Sequence, residues 1–214
     1  MTPSELITFA LQRHNAVGDS LFSNDLMLSL MYAACQDIAK KAYVIEQTYS
    51  TTTVASTQEY AFPTNAFAIK RVTYDGMKLT PITFREDDSL SLQNSTTIVT
   101  GTPNYYATFN RTIYLRPVPG DALTLKLFTY NMPSEIDTTS TLEVPTEYHT
   151  DLALYMLAEM NAMEKNYQGA QYYLGLWDKR VEAIKKEQRK RNRGDAFQGI
   201  QDIDSMPSNI VDLV

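Results

Sequence analysis

The sequence predicts an α+β fold in which a helical domain, built from both ends of the chain, is interrupted by a small antiparallel β-sheet insertion. Apolar residues recur with the period of an α-helix near both ends, whereas residues 49–143 are rich in Thr and Tyr and lack that period. Proline and glycine interrupt this middle part where turns are expected. We therefore expect a helical domain of residues 1–48 and 144–193, a β-rich insertion domain of residues 49–143, and an extended C-terminal tail of residues 194–214.

Two helices are predicted before the insertion. The first begins at Thr2-Pro3-Ser4-Glu5, which combines a capping-box pattern with proline at the first helical position, and it is broken at Gly18. The second is capped within Ser23-Asn24 and is expected to run to about Glu46. Its apolar stripe comprises Leu26, Leu30, Ala33, Ala34 and Ile38.

Turn residues and alternation predict the strands of the insertion. Asp75-Gly76 lies between two strand-like runs and is a strong hairpin signal. Asn110-Arg111 separates Tyr105–Phe109 from Thr112–Arg116, which predicts a second hairpin. A further strand, buried on one face, is predicted where leucines alternate with polar residues, at Leu123, Leu125 and Leu127.

Helices are predicted again after the insertion. One opens at Pro145 or Thr146, and its stripe comprises Leu152, Tyr155, Met156, Glu159 and Met160. A second stripe leads directly into a basic segment and comprises Ala170, Tyr173, Leu174, Trp177, Val181 and Ile184. Gly194 is the expected stop of this last helix, and the residues after it have no clear period.

The composition predicts a soluble, mildly acidic protein. The chain has 214 residues, of which 43% are hydrophobic, so it can bury a core. Its net charge of −6 is too small to predict that the whole chain is disordered. It has no run of about 18 apolar residues, so we expect no membrane span. The N-terminal residues lack a basic leader followed by an apolar run, so we expect no secretory signal.

Residues for catalysis, metal binding or cofactor binding are scarce. The eight glycines form neither a phosphate-binding loop nor a dinucleotide fingerprint. A single cysteine excludes an intrachain disulfide framework and a multi-cysteine zinc site. We therefore predict that the protein is not an enzyme, with no catalytic, cofactor-binding or metal site.

Three local patterns leave alternatives open. Cys35 and His149 could form a nucleophilic dyad, or a buried thiol and a hydrogen-bonding histidine. The acidic run at residues 86–88 could bind a divalent cation, or be a solvated loop. Strand tyrosines could form a carbohydrate-binding β module, or fill a half-buried sheet; they are Tyr60, Tyr74, Tyr105, Tyr106, Tyr114 and Tyr130.

Charge is strongly uneven along the chain. Residues 179–193 carry eight Lys or Arg and two Glu, whereas residues 1–178 have a net charge of −8 and residues 194–214 have four Asp and no Lys or Arg. The basic segment could be a solvated helix end whose cations complement the helix dipole, or it could bind nucleic acid. It could also dock into an acidic or mixed protein groove. The apolar residues that follow it favour protein docking, because they need a surface on which to pack.

The order of motifs in the insertion resembles the head-to-tail adaptor (connector) proteins of tailed bacteriophages. The first half of the pattern is Glu59–Pro63, Ile69–Gly76 and Gly101–Tyr106, and the second half is Ile113–Pro119, Leu123–Pro133 and Leu142–His149. Each motif is a strand with turn residues, so the resemblance rests on their succession and covers about residues 1–193.

The resemblance implies a structural protein of the virion rather than an enzyme. Such adaptors form a ring, usually twelve-fold, in the neck between capsid and tail, after assembly in the host cytoplasm. The ring extends the DNA channel for genome retention and ejection, and it binds the portal above and tail or nozzle proteins below. The implied portal-binding residues here are Lys185, Arg189 and Arg193 with the apolar tail residues Ile200, Ile203, Met206, Ile210, Val211 and Leu213.

The charge pattern is compatible with that role. A closed ring of identical subunits needs two different complementary patches on each chain, and an acidic body with a basic helix has both signs. An acidic channel wall would also let packaged DNA slide. The alternative function that we keep open is a nucleic-acid-binding module that uses the helix of residues 179–193.

Overall fold

The computed structural model describes residues 1–86 and 99–193 and confirms the α+β class, with helices at both ends of the chain and β-sheets between them. The helices are α1 (Pro3–His14), α2 (Asn24–Ala42), a 3₁₀ turn (Thr146–Tyr148), α3 (His149–Met163) and α4 (Tyr167–Arg193). The tail predicted for residues 194–214 lies outside the described residues. No helix in the described ranges is long and apolar enough to cross a membrane.

Both predicted N-terminal caps form. The Thr2 hydroxyl accepts the Glu5 N–H at 3.2 Å, and the Glu5 carboxylate accepts the Thr2 N–H at 2.9 Å, which completes the capping box. Ser23 accepts the Leu26 N–H at 3.3 Å and caps α2.

The C-terminal boundary predicted for α2 is wrong by four residues. α2 ends at Ala42 because Tyr43 adopts the left-handed conformation, with φ of 58°, while its N–H donates to the Ala39 carbonyl. The chain then turns, and Glu46 begins the first strand instead of ending the helix. Because tyrosine rarely adopts this conformation, the sequence gives no sign that the helix ends before Tyr43.

The insertion forms two four-stranded sheets and one short pair. The strands are β1 (Glu46–Thr52), β2 (Glu59–Ala61), β3 (Ala66–Tyr74), β4 (Met77–Lys78), β5 (Thr80–Pro81), β6 (Thr100–Gly101), β7 (Tyr105–Phe109), β8 (Thr112–Arg116), β9 (Val118–Pro119) and β10 (Thr124–Asn131). In one sheet the strand order is β1-β10-β3-β4, in the other it is β2-β8-β7-β5, and β6 pairs with β9.

The predicted hairpins are present, and the long strands pair antiparallel as expected. β3 and β4 pair across Asp75-Gly76, whose φ angles of 48° and 80° are both left-handed. β7 and β8 pair across Asn110-Arg111, also left-handed at both positions. Two short parallel bridges add to the predicted antiparallel pairing, since β5 pairs with β7 and β6 with β9 in parallel, over two residues each. Bridges this short leave no periodic pattern in a sequence.

Two separate apolar clusters form the core. One joins α1, α2, α3 and α4 around buried residues that include Leu6, Met31, Leu152 and Trp177. The other lies between the sheets around Val72, Tyr74, Ile113, Leu115 and Leu125. The helical stripe predicted for α4 is buried at Trp177, Val181 and Ile184, whereas Leu174 is exposed, so the stripe is wrong at that position.

Candidate docking surface

The basic segment of α4 has one side in the helical core and the opposite side in solvent. Trp177, Val181, Ile184 and Gln188 follow one another at spacings of three and four residues and are buried. Exposed lysines project from the opposite side, because successive residues are rotated by about 100° around the helix axis. These lysines are Lys179, Lys186 and Lys190, and the exposed Arg189 lies beside them.

Other cations of α4 are neutralised by acidic groups of the same protein. Arg180 donates to the Asp151 carboxylate of α3 at 2.8 Å, which raises the pKa of Arg180. Arg191 donates to Glu147 of the 3₁₀ turn at 3.1 Å and to Glu187 at 2.9 Å. The pairs with Asp151 and Glu147 link α4 to the preceding helical elements and partly compensate these two charges.

We name the remaining set the α4 cationic stripe: Lys179, Lys186, Arg189 and Lys190. Each side chain is exposed, and the part of the chain that the structure describes offers none of them an acidic partner. Four uncompensated charges on one side of a rigid helix produce a positive potential suited to an acidic partner surface. The stripe is therefore the candidate docking surface.

The three basic residues predicted to bind the portal, Lys185, Arg189 and Arg193, lie in different surroundings. Arg189 lies in the stripe. Lys185 is half-buried, and its ammonium group lies 3.3 Å from the Glu182 carboxylate, so part of its charge is already compensated. Arg193 is the last residue of α4, and its side chain is outside the description. The predicted tail residues Ile200, Ile203, Met206, Ile210, Val211 and Leu213 also lie outside the described residues.

Sequence reasoning did not single out Lys179, Lys186 and Lys190 from the other cations. Their spacing of seven and four residues, opposite the buried Trp177 and Val181, was the signal that could have done so.

His149 and Cys35 are both buried, in surroundings that favour structural roles. His149 is buried, and its Nε2 donates to the Val144 carbonyl oxygen at 2.7 Å. Cys35 is buried in the helical core among apolar side chains. Burial, with a smaller contribution from the negative charge of Glu143, raises the pKa of its thiol from 9.0 to about 12. These features favour the interpretation as a buried thiol and a hydrogen-bonding histidine over a catalytic dyad.

We expect Cys35 to be almost unreactive in the native protein at about pH 8. Because the folded pKa lies above the unfolded value, the thiol's contribution to stability is complete below about pH 9 and is lost as the pH rises towards 12. Ellman's reagent should label native protein at least about 100-fold more slowly than protein unfolded in guanidinium. Cys35→Ala should lessen the alkaline loss of stability, and rapid labelling of the native state would contradict the assignment.

Among the residues that the structure describes, the acidic run at 86–88 forms no cation site. The Glu86 carboxylate accepts the Thr83 N–H at 2.7 Å and its hydroxyl at 2.9 Å, and these hydrogen bonds lower the pKa of Glu86. The other two positions of the run, 87 and 88, are outside the description. Within residues 1–86 and 99–193, no cluster of three or more His, Cys, Asp or Glu is placed to hold a metal ion.

The strand tyrosines do not share one exposed face. Tyr74 and Tyr106 are buried in the core between the sheets. Tyr60 is half-buried, and its hydroxyl donates to the Thr57 carbonyl at 3.0 Å and accepts the Val54 N–H at 3.1 Å. Tyr105 is exposed. This distribution favours a sheet-filling role over a carbohydrate-binding platform.

An open cleft of about 610 Å³ lies where α4 meets the first sheet. Its charged lining includes Lys70 and Glu46, whose ammonium nitrogen and carboxylate oxygen are 2.8 Å apart, and Arg191, which is paired with Glu147. Because these charges compensate one another or neighbouring groups, the cleft adds little positive charge to the docking surface.

A family model described as SU10 adaptor protein matches residues 1–199 of the chain. No curated protein sequence matches it.

Proposed function

The chain belongs to the SU10 adaptor protein family, a family of bacteriophage adaptors with a structural role, and from this premise we propose that it is the head-to-tail connector of a tailed phage. In this role it forms a ring, expected to be twelve-fold, in the neck of the virion. The ring joins the portal to tail or nozzle proteins and extends the channel through which DNA is retained and ejected.

The distribution of charge supports assembly into a ring. A closed ring needs two different surfaces that complement each other, since each copy contacts its neighbours through unlike patches. Residues 1–178 have a net charge of −8, while α4 carries the cationic stripe on one side. Opposite potentials on one chain favour ordered contacts between copies and with partners.

The observation that carries the portal assignment is the α4 cationic stripe immediately before the C-terminal segment. The opposite side of the helix is fixed in the core by Trp177, Val181 and Ile184, so the stripe is held in one orientation. Residues 194–214 then add six apolar side chains that we assign to the same contact. Contact of these side chains with the portal would cover a large apolar surface.

Charge reversal of the stripe should weaken portal binding. We expect the triple variant Lys186→Glu, Arg189→Glu and Lys190→Glu to bind the portal protein of the same phage at least about tenfold more weakly at low salt. Biolayer interferometry gives the affinity, and negative-stain imaging shows whether rings still attach to portals.

The matched control reverses three exposed lysines elsewhere, Lys40, Lys78 and Lys165, and changes the net charge by the same amount. If this control lost as much affinity as the stripe variant, net charge rather than the stripe would govern binding. Removing residues 194–214 should also abolish attachment while leaving the fold intact, and full binding by the truncated chain would contradict the role of the tail.

The same stripe supports the alternative function, binding of nucleic acid. Cations that contact phosphates release counterions, so the affinity for duplex DNA would fall steeply with salt concentration. If the isolated chain bound DNA with such a slope, and the stripe variant lost this binding but kept its portal affinity, the nucleic-acid function would replace the connector assignment for this surface.

A further inference from the structure

β1 is an edge strand, and it is much longer than the other edge strands of the two four-stranded sheets. Each four-stranded sheet has two edges, and three of these four strands have only two or three residues: β2, β4 and β5. β1 has seven residues, pairs with β10 without a register shift, and contains neither proline nor lysine. Short edges, prolines, lysines and bulges are the usual protection against pairing with another chain, and β1 has none of them.

The backbone of β1 offers hydrogen-bonding groups on its open side. The Thr53 N–H donates to the Leu123 carbonyl, and the Asn131 N–H donates to the Ile45 carbonyl. Odd-numbered residues therefore form the hydrogen-bonded pairs with β10, and the backbone groups of even-numbered residues point away from it. Those groups belong to Glu46, Thr48, Ser50 and Thr52, which are exposed.

The two faces beside this edge differ in chemistry. On one face, the Arg71 guanidinium lies 4.1 Å from the centroid of the Phe128 ring, and Lys126 is exposed two residues along β10. Neither cation has an acidic partner within the ranges that the structure covers. On the other face, Tyr49 is half-buried against the core between the sheets.

We propose that β1 binds an extended segment of a partner protein, which adds to the sheet as a fifth strand. The segment alternates acidic and apolar residues: its acidic side chains lie on the face of Arg71 and Lys126, and its apolar side chains extend the core beside Tyr49. Main-chain hydrogen bonds give affinity in this mode of recognition, and the alternating side chains give specificity. This inference goes beyond the connector function, since it concerns a surface remote in sequence from α4.

A second copy of the chain is the less suitable occupant. The opposite edge of the same sheet, β4, has two residues, so it cannot pair along the seven residues of β1. Two β1 strands could pair with each other, but each would bring only one acidic side chain, Glu46, and this carboxylate already pairs with Lys70 at 2.8 Å.

The test uses the full chain and a labelled synthetic peptide of about nine residues that alternates Asp with Val. A matched peptide carries Lys in place of each Asp. Ser50→Pro removes an N–H that points away from β10, whereas Ser50→Ala keeps it and serves as the control. A second variant, Arg71→Gln with Lys126→Gln, leaves the edge intact but removes its neighbouring charges.

We expect fluorescence anisotropy to show binding of the acidic peptide to the wild-type chain and the Ser50→Ala variant. Binding should be at least about tenfold weaker for the lysine peptide, for Ser50→Pro and for the double glutamine variant. Equal binding of both peptides, or no binding by the wild-type chain, would overturn the proposal. Trp177 fluorescence and circular dichroism verify that each variant is folded.

Two further results would assign the edge to another occupant and overturn the proposal. Concentration-dependent dimerisation that Ser50→Pro suppresses would show that a second copy occupies β1. Peptide binding that becomes at least about tenfold tighter after removal of residues 194–214 would show that the chain's own C-terminal segment occupies it.

Discussion

Replacing Trp177 by alanine should destabilise the helical core by about 3–5 kcal/mol, the largest effect that we expect from a single substitution. Its side chain is fully buried and the indole packs edge-on against Tyr155, with ring centroids 5.7 Å apart. The indole N–H also donates to the Asp37 carboxylate at 2.8 Å, so the substitution removes both packing and a hydrogen bond. Urea unfolding followed by far-ultraviolet circular dichroism measures the loss.

Trp177→Phe separates these two contributions. Phenylalanine keeps much of the packing but loses the indole N–H, while Asp37 retains its ion pair with Lys41 at 2.9 Å. We therefore expect a loss smaller than that of the alanine variant. An alanine variant as stable as the wild-type chain would show that the indole is not part of the core.

Replacing Ile113 by alanine should destabilise the β unit by about 2–5 kcal/mol. Ile113 lies fully buried in β8, within the apolar cluster between the sheets. We propose that the helical and β units are separate domains, because each has its own cluster. On this proposal, Ile113→Ala shifts the unfolding of the β unit to lower urea concentration and leaves the unfolding of the helical core almost unchanged.

The chain has a single tryptophan, and it lies in the helical cluster, so its fluorescence reports the helical core alone. Circular dichroism and tyrosine fluorescence report the β unit as well. Thr108→Ala, at an exposed position directly opposite Ile113 in β7, is the control and should shift the β transition by at most about 1 kcal/mol and leave the Trp177 transition unchanged. A Trp177 transition that shifts as far as the β signal would show one cooperative unit and contradict the division.

Much of the fold was predictable because it depends on local chemistry. The capping box at Thr2 and Glu5 and the two left-handed turns at Asp75-Gly76 and Asn110-Arg111 are set by residues adjacent in sequence. The end of α2 was not predictable, since a tyrosine takes the left-handed position at Tyr43. The pairing partners of β5 and β6 depend on residues distant in the chain, which a local pattern does not reveal.

The candidate site was predictable only in part. The density of cations in residues 179–193 was visible, as was the apolar side of the helix. Which cations are free was not visible, because Arg180 and Arg191 are neutralised by Asp151 and Glu147 from other elements. The open edge of β1 was also hidden, because a strand's place in a sheet is a property of the whole chain.

The length of α4 has a mechanical consequence. Its 27 residues span about 40 Å, with Trp177 and Val181 embedded near its middle and the stripe extending from there towards its C-terminal end. A pulling force applied at the C-terminal end of α4, along the helix axis, would load the packed side chains in shear, together with the ion pairs of Arg180 and Arg191. The helix would therefore transmit tension from a partner into the protein interior as a stiff rod rather than a spring.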